Sequence, residues 1–216
     1  MLHLEHVTKK YGRRPVLAPT NIRIDRGLTL LTGPSGGGKS TLLRLIATAE
    51  PPSGGRIYWE GLSPRRSRPA IRKLLGYAPQ AVDLPEDLTA REFALHIAAL
   101  KGLDLRQADR QFIAISEAIG IHGDIGNRIS TFSGGMRRRL IFAQALLGEP
   151  KLLVLDEPTS EIDAETAGRL VALLFERSRE TIVIMTSHLV HGVREHAASV
   201  MHMEAGVIRD VTEQEQ

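Results

Sequence analysis

Gly33-Pro34-Ser35-Gly36-Gly37-Gly38-Lys39-Ser40 spells a complete phosphate-binding loop, and the apolar run before it, Leu28-Thr29-Leu30-Leu31, reads as a buried strand. Strand, glycine loop and helix is the context in which this motif has its chemistry. Glycines let the backbone curl round a phosphate chain with its N–H groups turned inward, and the helix that starts near Lys39 adds the positive end of its dipole. Lys39 is placed to reach the β- and γ-phosphates of a nucleotide, and Ser40 to offer its hydroxyl to the Mg²⁺ that travels with it. Thr41-Leu42-Leu43-Arg44-Leu45-Ile46 continues the helix against a sheet. A flexible glycine turn is the alternative, and the flanking strand and helix weigh against it.

Further segments repeat the pattern of an apolar strand running into polar groups. Leu152-Leu153-Val154-Leu155 leads to Asp156-Glu157-Pro158, Thr181-Ile182-Val183-Ile184-Met185-Thr186 to Ser187-His188, and Leu74-Leu75-Gly76-Tyr77-Ala78 to Gln80. In open parallel α/β sheets ligands bind beyond the carboxyl ends of the strands, so all of these groups can converge on the phosphate loop. Adjacent carboxylates at a core edge repel each other and need a cation or a proton. Asp156 would hold Mg²⁺, in part through water, and Glu157 would orient and deprotonate the water that attacks the γ-phosphate. Without the glycine loop, Asp156-Glu157 before Pro158 would pass as an acidic helix cap.

Composition narrows the class. The 216 residues are 42% apolar and 25% charged, the balance of an ordinary globular protein and not of a disordered one. No run approaches the roughly 20 apolar residues that span a bilayer, no secretory signal is visible at the start, and no cysteine offers a disulfide or a thiolate site, which fits a cytosolic chain. A net charge of +3 is too small to argue for nucleic acid. The basic stretch Arg65-Arg66-Ser67-Arg68 with Arg72 and Lys73, set between Pro64 and Pro69, is expected to be a solvated loop, with a headgroup or phosphate contact as the alternative.

Between Gln80 and Asp156 the character turns helical. Thr89 with Glu92 three residues later is a helix start signal, Phe93, Ile97 and Leu100 are expected to face the core, and Gly102 stops the segment. A second amphipathic segment runs from about Arg106 to Ile119 before Gly120, and a third from Gly135 to Leu147 before Gly148 and Pro150. Ser133-Gly134-Gly135 at the start of the third is either a plain N-cap or a second anion site, and physics alone leaves both open. Tyr11 beside Gly12 is expected on a loop after a short strand, where its ring either stacks on a base or fills surface. His188 and His191 lack the third ligand that a metal site needs.

Taken in order, these motifs resemble the nucleotide-binding subunit of ATP-binding cassette (ABC) transporters over essentially the whole chain. The resemblance implies an α/β P-loop NTPase core with a mainly parallel sheet, an N-terminal antiparallel β portion and an inserted helical subdomain. It implies one cassette, with 1–85 and 150–216 forming the α/β lobe and 86–149 the helical lobe. Tyr11 then takes the place of the adenine-stacking aromatic. Gly33, Pro34, Ser35, Gly36, Gly37, Gly38, Lys39, Ser40 and Thr41 become the Walker A loop, Gln80 the Q-loop glutamine, and Ser133, Gly134 and Gly135 the signature. Asp156 and Glu157 become Walker B, 160–163 the D-loop, and His188 the switch histidine at the same subunit's γ-phosphate. Ser40, Gln80 and Asp156 would attend Mg²⁺, while Glu157, His188 and Gln80 would carry catalysis of ATP hydrolysis.

The resemblance further implies two subunits packed head to tail, each signature closing on the other's nucleotide. An integral membrane permease on a separate chain would be the partner, and the chain would sit peripherally on the inner face of the membrane. A soluble ABC-type ATPase acting on nucleic acid or ribosomes is the alternative, but such proteins usually carry two cassettes or long insertions. A P-loop kinase has no use for the signature or His188. Met136 stands where the family most often has glutamine, and Glu161 where it has a small residue. The wording around Leu88-Thr89-Ala90-Arg91-Glu92 and Arg137-Arg138-Arg139 is similar to the drug, ion and bacteriocin exporter branch. After Gly206-Val207-Ile208 only a polar tail is expected. The segment Val82-Asp83-Leu84-Pro85 is expected to be an apolar loop open to a cytoplasmic helix of the permease, with packing on the helical lobe as the alternative.

Overall fold

The structure, a computed structural model, describes residues 1–81, 83–187 and 190–213. Val82, His188, Leu189 and the last three residues lie outside the described set. Strand β1 (Leu2–Tyr11) turns at Gly12, where φ is 59°, into β2 (Arg14–Ile24), and β4 (Gly54–Trp59) pairs with the other edge of β1. All pairs in this sheet are antiparallel, in the order β2-β1-β4. The second sheet contains β3 (Gly27–Thr32), β5 (Leu75–Ala78), β6 (Leu152–Leu155), β7 (Ile182–Thr186), β8 (Ser199–Glu204) and β9 (Val207–Glu213). Its order is β5-β6-β7-β3-β8-β9, parallel except for the final β8–β9 hairpin.

Its central strands read as unbroken apolar runs because both faces are covered. Side chains alternate between two cores with a period of 2. Leu31, Leu152, Val154, Ile182 and Ile184 meet helix α1 (Lys39–Ile46) and the antiparallel sheet, represented by Leu2, Leu4 and Trp59. Leu28, Leu30, Leu153, Leu155, Val183 and Met185 point the other way, into a core shared with the helices. Those are α3 (Ala90–Lys101), α4 (Leu105–Ala118), α5 (Gly134–Ala145) and α6 (Ala164–Ser178); α2 (Pro64–Lys73) precedes β5 and a short α7 (Val190–Arg194) follows β7. Helices α3 to α5 lie between β5 and β6 in the chain, and Phe112, Leu140 and Phe142 belong to the same core as the sheet residues.

Three expectations need correction. The basic stretch is a helix, α2, bent at Ser67 because Pro69 cannot donate to the turn before it. Its guanidinium groups close the end of α1: Arg68 and Arg72 both donate to the carbonyl of Thr48. On α3 the capping box of Thr89 and Glu92 forms and Gly102 ends the helix in the left-handed region. The buried stripe, however, is Ala90, Ala94 and Ala98, with Phe93 and Ile97 half-buried and Leu100 72% exposed. Small side chains win that face because they let α3 approach its neighbours closely. Leu84 is only 7% exposed and packs in the core beside the helices, so it does not present the docking surface expected of it.

Candidate nucleotide site

Parallel register brings the strand ends to one level. Ala78 pairs with Leu155, Leu155 with Met185, and Leu31 with Thr186, so the residues that follow β5, β6, β7 and β3 emerge side by side. Those residues are Gln80, Asp156-Glu157, Ser187 and the phosphate loop.

The loop is fixed by close backbone approaches. At Gly33 φ is 130°, and a Cβ there would stand 1.9 Å from the carbonyl oxygen of Met203 on β8. Gly38 has φ 106°, with the Met203 side chain 2.8 Å from any added Cβ. Gly37 N–H donates to Pro34 O at 3.1 Å, and Gly206 N–H, from the β8–β9 turn, donates to Gly37 O at 2.8 Å. Pro34, Ser35 and Gly36 form the exposed crest, and Lys39 Nζ folds back to donate to Gly33 O at 2.8 Å and Pro34 O at 3.0 Å. Helices α3, α4, α5 and α6 each have a side-chain N-cap, whereas α1 starts on Gly38 with none. Its first N–H groups therefore face the loop, the arrangement that receives an anion. A cleft beside it is lined by Arg14, Gly36, Lys39, Ser40, Thr41 and Arg44.

Asp156 is 5% exposed. Its Oδ1 accepts from the Thr186 hydroxyl at 2.7 Å, and the same hydroxyl oxygen accepts the Glu157 N–H at 2.8 Å. One threonine thus orients both acids. Glu157 sits in the left-handed region at φ 53°, and Ser160 donates to its carbonyl from N–H at 3.2 Å and from Oγ at 3.0 Å. Gln80 Nε2 donates to Glu157 Oε2 at 3.3 Å. Nearby, burial and then the charge of Asp156 push the Tyr77 hydroxyl up to about 12. Two adjacent acids, each held by a hydrogen-bond donor at the ends of neighbouring strands, form a grouping that suits a cation site.

Other expected residues fall elsewhere. Tyr11 ends β1, 42% exposed, with its hydroxyl donating to Glu50 Oε2 at 2.7 Å; it does not line the cleft beside the loop. Glu50 also pairs with Lys9 at 2.9 Å and Arg44 at 3.0 Å. Burial raises its pKa, but these hydrogen bonds and charges outweigh burial and hold the carboxyl below its ordinary value. Ser133 is the N-cap of α5, accepting from Met136 N–H at 3.2 Å, so the cap is formed. His188 lies outside the described residues. Thr186 escaped sequence reasoning, and its only signal was a hydroxyl at the end of an otherwise apolar strand.

Residues 17–160 match the family model described as ABC transporter. The ABC transporter ATP-binding protein YxlF of Bacillus subtilis is 31% identical over 209 residues, covering 96% of this chain and 69% of that protein. The cell division ATP-binding protein FtsE of Mycobacterium tuberculosis is 32% identical over 219 residues, covering 97% of this chain and 95% of that one. Among solved structures, a dimeric ATP-binding cassette in a post-hydrolysis state with ADP and Pi superposes with a TM-score of 0.88 at 22% identity, covering 99% and 98% of the two chains, a likeness of fold. Glycine loop, acidic pair and glutamine converge on one sheet edge in a chain with these relatives. The chain belongs to the ABC transporter family, as an ATP-binding and ATP-hydrolysing subunit that powers transport.

Proposed function

We propose that ATP hydrolysis here uses Gly33 to Thr41 for the phosphates and Glu157 as the general base. Ser40, Gln80 and Asp156 would hold Mg²⁺, which supplies neutralising charge to the phosphate oxygens when bound. The observation that carries this is the level set of strand ends, which brings Gln80 within hydrogen-bond reach of Glu157 and hangs both acids on Thr186. Lys39 supplies a cation whose present partners are the backbone carbonyls of Gly33 and Pro34, and the uncapped start of α1 supplies N–H donors. Glu157 takes a proton from water, and Gln80 orients the carboxylate that does so. His188 is assigned to the same subunit's γ-phosphate by resemblance alone, and Tyr11 to the base only if its hydroxyl leaves Glu50.

A second copy of the chain completes the site, with Ser133, Gly134 and Gly135 of each facing the nucleotide of the other. The cassette works as one unit, 1–85 and 150–216 carrying the nucleotide and 86–149 the signature, in keeping with the position of α3 to α5 between β5 and β6. An integral membrane permease on a separate chain is the partner, reached from the inner face of the membrane. The exporter branch rests on sequence wording. Glu157→Gln is the test. It should keep ATP binding in the presence of Mg²⁺, lose about 10²- to 10⁴-fold in hydrolysis, and form an ATP-dependent dimer by light scattering. Hydrolysis at the parent rate removes the base assignment, and a monomer at millimolar ATP removes the shared site.

A further inference from the structure

Glu161, a departure from the family pattern, pairs with the guanidinium of Arg138. Arg138, in the second turn of α5, is 17% exposed; Nη1 donates to the backbone carbonyl of Gln80, and Nη2 lies 3.3 Å from Glu161 Oε1. One guanidinium therefore joins the loop after β5 to the loop after β6. Those loops carry Gln80 and Glu157, which meet each other at 3.3 Å. The second loop is also seated on the start of α5: a Cβ on Gly135 would stand 2.9 Å from Glu161 O, and one on Gly134 would stand 3.3 Å from Glu161 Oε2. Glu157 and Glu161 both have left-handed backbones, φ 53° and 61°, a conformation that persists only where surrounding contacts hold it. Planar, five-donor geometry lets arginine serve a carbonyl and a carboxylate at once, which lysine cannot do equally well.

We propose that Arg138 is a positioning residue for ATP hydrolysis. It holds the Gln80 and Glu161 loops at a fixed separation, so that the Glu157 carboxylate keeps its aim on the attacking water. The proposal rests on Glu157 being the base. It gives Glu161, a departure from the family pattern, a role inside its own subunit.

Steady-state ATPase of the full chain tests it, with Arg138→Met, Arg138→Lys, Glu161→Gln and the Arg138→Met/Glu161→Gln double variant run beside Glu157→Gln. Arg138→Met should lower kcat by about 10- to 100-fold while KM for ATP moves less than about threefold, the mark of misplaced chemistry without lost binding. Arg138→Lys should recover kcat at least about fivefold over Arg138→Met, and Glu161→Gln should lose about 3- to 10-fold. The double variant should be no slower than Arg138→Met, since Glu161 acts through Arg138. A kcat for Arg138→Met within twofold of the parent, losses that multiply in the double variant, or a KM rise matching the kcat loss overturns the proposal. If Arg138→Met does not fold, Glu161→Gln decides alone, because that side chain is 60% exposed; an unchanged kcat there overturns the clamp. Glu157→Gln separates the two levels. Parent-like hydrolysis in it removes the base on which the clamp depends, whereas its loss beside a normal Arg138→Met removes the clamp only.

Discussion

Replacing Thr186 by valine removes one hydroxyl and keeps nearly the same shape. Thr186 is 1% exposed, so the methyl stays packed and no cavity opens. What is lost is the donor to Asp156 Oδ1 at 2.7 Å and the acceptor for Glu157 N–H at 2.8 Å. A hydrogen bond to a charged group contributes about 1.5–3 kcal/mol, and an unsatisfied buried N–H costs about 1–3 kcal/mol. Glu157 is only half-buried, so water recovers part of the second term, and the sum comes to about 2–4 kcal/mol. For a chain of this size that is roughly 4–16 °C in Tm. The left-handed Glu157 loses the hydrogen bond on its N–H, and a displaced base costs on the order of 10- to 100-fold in kcat. Thr186→Ser keeps the hydroxyl and gives up a methyl group, about 1 kcal/mol, so it should retain turnover. Circular dichroism melting and steady-state ATPase on the pair decide the matter. A valine variant that melts within 2 °C of the parent and turns over normally, by the about 2–4 °C expected per kcal/mol, refutes the shared-hydroxyl account.

Gly33→Ala should cost more than about 3 kcal/mol in a urea titration, because φ 130° is foreign to alanine and the new Cβ would overlap Met203 O; an unchanged midpoint would mean that the loop is not packed on β8 as described. Ser133→Ala should cost about 1 kcal/mol through the lost cap at Met136 N–H and leave the ATP affinity of the isolated subunit unchanged by titration calorimetry, and weakened binding would place Ser133 at its own subunit's nucleotide. Burial lowers the pKa of Lys101 to about 8 from 10.5, so between those values the unfolded chain binds more protons and stability should rise as pH climbs through that window. Lys101→Met should flatten that rise in denaturant midpoints taken from pH 8 to pH 10.5, the ends of the window, and an equally steep rise in the variant would assign it to another group.

What was legible in the sequence is what the backbone does over a short contiguous stretch. The glycine loop, the four apolar strands and the Thr89–Glu92 capping box are local, and each stands where its residues placed it. Reading failed where neighbours far along the chain decide. Phe93 does pack against the core, but Leu100 is 72% exposed and the fully buried stripe of α3 is Ala90, Ala94 and Ala98, because close approach rewarded small residues there. Two prolines made α2 look like a loop, although Pro64 at the first helical turn costs nothing and Pro69 merely bends it at Ser67. The side-chain contacts that align Glu157 span 77 residues to Gln80 and 29 to Thr186, and no spacing rule reaches so far.

Those contacts nevertheless follow from one property of the sheet, its register. Leu155 opposite Met185 puts Asp156 beside Thr186, and Ala78 opposite Leu155 puts Gln80 beside Glu157. A slip of one residue between β6 and β7 would turn Leu153 and Leu155 out of the helix-side core and into the core occupied by Leu152 and Val154. Both cores are filled by alternating apolar side chains, so that slip is opposed by every strand residue at once. The hydrophobic pattern on the two faces therefore sets the alignment of the acids more firmly than the hydrogen bonds at the site do. Polar contacts such as Thr186 to Asp156 then adjust a geometry that apolar burial has already imposed, which is why their loss should slow the chemistry and lower stability without changing the fold.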